Sequence, residues 1–142
     1  MNTFEKRSIG IEAAQRIVEA AFREADSIGI KVAVTVVDES GLLKAFGRQD
    51  GAALINTQSS QSKAKTAVSL GMPSRAWYPM IKDDPALLHG VVGALDVVIF
   101  GGGVPLKADG YLIGAVGVGG GSADQDHQVA EAATRALEGA TA

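Results

Sequence analysis

The chain has 142 residues, the size of one ordinary domain, and its 46% hydrophobic and 20% charged composition suits a packed core rather than disorder. Thirteen Lys and Arg stand against sixteen Asp and Glu, a formal charge of -3, and no basic stripe interleaves with aromatics, which argues against nucleic acid as a partner. The absence of cysteine excludes disulfides, thiolate nucleophiles and thiolate metal sites.

Met1 to Gly10 carries charges but leads into no long apolar run, so it does not read as a signal peptide, and the apolar stretches elsewhere are too short for a bilayer. The expectation is a cytoplasmic protein, not bound to membrane, with a single domain over residues 1–142. Ser8 to Ile28 is predicted as a helix, since Ile9, Ala13, Ile17, Ala20, Ala21, Ala25 and Ile28 recur at three- and four-residue spacing and Gly29 follows as a stop. The β-branched run Lys31 to Val37 predicts a strand, and Asp38 to Gly41 a tight turn into a second strand over Leu42 to Phe46. Ala52 to Leu70 reads as a helix closed by Gly71.

Gly71 to Asp84 is broken by prolines, and Trp77 within it is either a core plug or a pocket wall. Asp96 to Phe100 is expected as a short strand, and GGGVPLKADG as a glycine-rich connection ending in a turn at Ala108 to Gly110. Tyr111 to Val118 predicts a strand whose Gly114 and Gly117 mark close backbone approach or a bulge. Ser122 to Leu137 predicts the last helix, opened by a Ser122/Gln125 capping box. The tight turns between strands exclude a dinucleotide-binding βαβ unit and favour an α+β fold with a mostly antiparallel sheet.

Gly119, Gly120, Gly121 and Ser122 place backbone amides before a helix start, either an anion cradle or simply a strand-to-helix turn. Asp126 shares an inward stripe with Val129, Ala130 and Ala133, so its carboxylate needs water, a cation or hydrogen-bond donors. Lys63 beside Thr66, Ala67 and Leu70, or Arg48 near Asp50, could supply that cation, for catalysis or as a structural pair closing the core. His127 is about a hundred degrees round the helix from Asp126 and need not face the same cavity. The two histidines, His89 and His127, have no compact metal-binding spacing, so no metal site is expected.

The segments VVDESGLLKAFGRQDGA, KAKTA and GGGVPLKADGYLIGAVGVGGGSADQDHQVAEAA, in that order, resemble the GlcG/HbpS-like family, the haem-degrading or DUF336 domain, and are similar to the carboxy-terminal domain of PduO-type proteins. The resemblance implies a profilin-like fold, an antiparallel sheet of about five strands with packed helices, and assembly as a homo-oligomer. It implies a small-molecule ligand, with haem or a related tetrapyrrole first among the candidates. Gly119 stands where the family often carries serine. Met72, Tyr78, Met80, Tyr111, His89 and His127 are the side chains available as an axial ligand.

Three functional readings follow. In a binding protein, Arg48, Lys63 or the glycine amides would meet propionates, with Trp77 or Tyr111 against the macrocycle. In a catabolic tautomerase, isomerase or lyase, Arg48 would orient a carboxylate, Lys63 or Asp126 would move a proton, and Gly119 to Gly121 would hold an oxyanion. In an accessory oligomer the same residues would serve packing alone. The ligand-binding set expected alongside is Asp50, Thr66, Trp77, Tyr111, Gly119, Gly120, Gly121, Ser122 and His127.

Overall fold

The computed structural model describes residues 1–138. Helix α1 (Ile11–Ser27) starts at Ile11 rather than Ser8 and buries Ala14, Ile17, Val18, Ala21 and Ala25. Of the predicted stripe Ile17, Ala21 and Ala25 are buried, Ala13, Ala20 and Ile28 partly so, and Ile9 is buried ahead of the helix, while Gly29 turns the chain at φ 78°. Strands β1 (Ala33–Asp38) and β2 (Leu43–Arg48) form an antiparallel hairpin, paired from Ala33 opposite Arg48 to Val36 opposite Ala45, after which the register shifts so that Val37 faces Leu43. The Asp38 carboxylate accepts from the Ser40 and Leu42 amides at 2.9 and 3.0 Å, and Gly41 takes φ 80°, so the turn is specified by its own residues.

Helix α2 (Ile55–Leu70) ends at Gly71 with φ 65°. After a single turn at Ser74–Ala76 come two short helices, α3 (Trp77–Ile81) and α4 (Pro85–Leu95). Strands β3 (Gly103–Ala108) and β4 (Tyr111–Gly119) form the second hairpin, and α5 (Ala123–Ala133) runs into a final turn, Thr134–Leu137. The four strands lie in the order β2-β1-β4-β3, antiparallel throughout. The α+β expectation holds, with four strands.

Helix α2 covers one face of the sheet and α1 with α5 the other, so the central strands are buried on both sides. Val34 and Val36 join Ile17, Val116, Val118 and Val129 in the larger core, while Val37 and Ala115 pack on Ala64, Ala67 and Val68 of α2. The α2 side is built for close approach. A Cβ at Gly117 would overlap the Ser60 carbonyl, and one at Gly103 the Lys63 carbonyl. This is the physical reason for glycine inside these strands. Residues before α1 strap the far end of the sheet: the Ile9 amide donates to the Ile113 carbonyl, and Arg7 pairs with Asp109.

Three elements differ from the sequence expectation. Asp96 to Phe100 is not a strand: the Val98 amide donates to Thr66 Oγ1 and the Phe100 carbonyl accepts from Ser74 Oγ, so its backbone is held by side chains. Its place in the sheet is taken by β3, hidden in what reads as a glycine-rich connection, with Pro105 on an edge strand where a missing amide is tolerated. Helix α4 was not anticipated, although Asp84 caps it by accepting from the Ala86 and Leu87 amides and Pro85 occupies its first turn.

Candidate functional site

Helix α5 carries most of the candidate chemistry, and its start is fixed locally. Ser122 Oγ accepts from the Gln125 amide at 3.2 Å, and the Gln125 side chain accepts from the Ser122 amide at 2.9 Å, the capping box read from the sequence. The next residue, Asp126, points into the core. Its Oδ2 accepts from Lys63 Nζ at 2.8 Å and its Oδ1 from the Gly121 amide at 2.7 Å. Lys63 Nζ also donates to the Val118 carbonyl at 3.0 Å and lies 5.4 Å from the centre of the Phe100 ring.

Of the two pairings considered, the structure makes Lys63–Asp126. The two side chains are 4% and 3% exposed, closed from solvent and spent on each other. This joins α2, β4 and α5 through one ion pair. Two of the amides that could cradle an external anion, those of Gly121 and Ser122, are used by the chain's own Asp126 and Gln125. Gly119 is buried in β4 opposite Ala33, and Gly120 is exposed.

The remaining expected residues do not converge on this pair. Arg48 and Asp50 are exposed at the end of β2 and in the following turn. Thr66 is buried, donating to the Ser62 carbonyl and accepting from the Val98 amide. Trp77 is a core plug, packed with Ile81, Val91 and Val97. Tyr111 is exposed at the opposite end of the sheet, with the Arg7 guanidinium 4.3 Å over its ring.

His127 faces elsewhere, as its position on the helix requires. Its ring is nearly buried, its Nε2 meets Glu131 Oε2 at 2.7 Å one turn on, and its Nδ1 has no partner. Beside it lies an open groove of about 330 Å³ between β3 and the α5 end of the chain. Val104, Pro105 and Leu137 line it with apolar surface, Arg75 and Lys107 with positive charge, and His127, Glu131 and Glu138 with titratable groups. Sequence reasoning missed Arg75 and Lys107, because both fall in segments read as irregular. Glu131 was legible as the residue one helical turn from His127.

Comparison with known proteins identifies the relatives of this arrangement. The family model described as haem degrading protein HbpS-like matches residues 9–135. The chain belongs to the HbpS-like family. It is similar to the corrinoid adenosyltransferase PduO of Citrobacter freundii, 30% identical over 132 residues, which cover 92% of this chain. Those residues cover only 39% of PduO, so the chain spans about two-fifths of that relative's length. Among solved structures, Klebsiella pneumoniae protein ORFY superposes with a TM-score of 0.93 at 29% identity, covering 99% of this chain and 98% of that one. A PduOC–haem complex superposes with a TM-score of 0.84 at 31% identity, covering 91% and 94%.

Haem is thus named in the description of the family and is bound in one solved relative, PduOC. None of the described helices is long and apolar enough to cross a membrane.

Proposed function

We propose that this chain binds haem or a related tetrapyrrole in the groove between β3 and α5. The observation that carries the reading is His127: an imidazole at the wall of a groove of mixed apolar and charged lining, whose Nε2 is held only by Glu131, a side chain 62% exposed and free to swing into water. The donor set fits the group. His127 would offer Nε2 to the iron, Val104, Pro105 and Leu137 would meet the macrocycle, and Arg75 and Lys107 would face its carboxylates. At about 330 Å³ the groove lies at the small end of the ~300–1,000 Å³ typical of organic ligands, so it takes one edge of the macrocycle and leaves the rest open. Bound haem supplies redox and ligand chemistry at its iron; the protein supplies orientation and charge.

The test is a hemin titration followed in the visible spectrum, with albumin as the non-specific control and a cobalamin as the competing tetrapyrrole. The wild type should saturate stoichiometrically. His127→Ala should lose the spectrum of a histidine-ligated iron, and Arg75→Ala with Lys107→Ala should weaken binding about tenfold or more, as loss of charge-assisted contacts does. Non-saturating uptake, or the same spectrum in His127→Ala, would overturn the assignment. The catabolic reading needs Lys63 and Asp126 open to one substrate, with Arg48 nearby. The ion pair is closed and Arg48 is exposed at the end of β2, so the geometry favours a structural role for that pair.

A further inference from the structure

His127 is held in a way that works against its proposed use, and Glu131 is the cause. A carboxylate oxygen can only accept, so the 2.7 Å contact between Glu131 Oε2 and His127 Nε2 places a hydrogen on Nε2. Nδ1 is buried and has no partner among the described residues, so nothing beside it draws that hydrogen across the ring. The nitrogen proposed for iron is therefore both protonated and covered by a carboxylate.

Glu131 also has a second place to go. Thr134 Oγ1 donates to the Glu131 carbonyl at 2.6 Å and fixes the backbone, while the side chain is 62% exposed. His127, Glu131 and Arg75 line both the groove of about 330 Å³ and a neighbouring open groove of about 310 Å³. The second groove is polar, and Arg135 is among its lining residues. Arg135 stands four residues after Glu131, the spacing at which a carboxylate meets a cation one turn on.

We infer that Glu131 is a two-position latch on His127. In the closed position it covers Nε2 and holds the ring in the tautomer that cannot ligate through that nitrogen. In the open position it pairs with Arg135 in the second groove and leaves Nε2 bare. Opening moves hydrogen without a net proton: Nε2 gives one to water, Nδ1 takes one from water, and the imidazole stays neutral. Resting on the proposed haem site, the latch holds the ligand-free protein closed and lowers the apparent affinity by the fraction of molecules that are open.

Nitrogen NMR of the ligand-free chain and hemin titration test the latch separately. In the wild type His127 should carry its hydrogen on Nε2, the signal being assigned by its loss in His127→Gln. In Glu131→Ala that hydrogen should exchange faster with water. The fold should survive, because Glu131 is exposed and alanine is the better helix former. Hemin should bind Glu131→Ala about tenfold more tightly, the low end for losing a hydrogen bond to a charged group. Glu131→Gln, whose carbonyl still accepts, should fall between. Glu138→Ala removes another carboxylate from the same groove and should change affinity by less than about threefold. Arg135→Glu should weaken hemin binding by about threefold in the wild type and have no effect in Glu131→Ala. A wild-type hydrogen on Nδ1 alone, or an affinity no tighter in Glu131→Ala than in Glu138→Ala, would overturn the latch and leave haem binding standing. Hemin that saturates neither the wild type nor Glu131→Ala would instead remove the haem site, and the latch with it.

Discussion

At the residue scale, the Lys63–Asp126 pair sets the strongest expectation. Both groups are buried, and the carboxylate is completed by the Gly121 amide while the ammonium is completed by the Val118 carbonyl. Removing one partner strands the other charge in the core, which costs about 3–5 kcal/mol; replacing both with apolar residues of similar volume is far milder. Lys63→Met should therefore destabilise the chain by about that amount in urea unfolding, and so should Asp126→Leu. The double variant Lys63→Met/Asp126→Leu should recover much of the loss. If the two losses simply add, the side chains are not acting as a pair. If instead either single variant leaves stability intact, the pair does not hold α2 to α5.

At the scale of elements, the limiting factor is how closely α2 lies on the sheet. Gly117→Ala would place its methyl against the Ser60 carbonyl and the Ala64 amide, backbone atoms that move only if the helix shifts. The expected cost is at least about 2 kcal/mol in thermal or urea unfolding. Gly10→Ala, at the α1 start with nothing within 4 Å of the added carbon, should cost under about 1 kcal/mol. Equal effects at both positions would mean that helix contact does not decide the cost.

The same contrast explains how much was legible beforehand. Helix α1, the first hairpin and α5 announce themselves through period, turn chemistry and capping, all local properties of the chain. Asp96 to Phe100 has strand composition but loses its place because Thr66 and Ser74, about thirty residues earlier, bind its backbone. Strand β3 hides among glycines whose purpose is to admit α2. Helix α4 has an almost uniformly apolar sequence, so it lacks the polar face by which a surface helix is recognised. At the candidate site, the pairing of Lys63 with Asp126 follows from two inward helix faces. The His127 groove depends on β3 and the Ser74–Ala76 turn meeting α5, which no local pattern encodes.

At the scale of the whole molecule, the proposed ligand groove depends on how the chain after α2 is fastened to the sheet. The groove is framed by β3, α5 and Arg75. The residue before Arg75 is the fastening: buried Ser74 donates through Oγ to the Phe100 carbonyl at 2.7 Å and accepts from the Gly103 amide at 2.9 Å. Ser74→Ala strands both backbone groups and should cost about 1–3 kcal/mol in urea unfolding. Because the same anchor sets the Arg75 backbone beside β3, the variant should also weaken hemin binding in the visible titration at a temperature where it stays folded. A loss of stability with unchanged hemin affinity would mean that the Arg75 side chain reaches the ligand without that anchor.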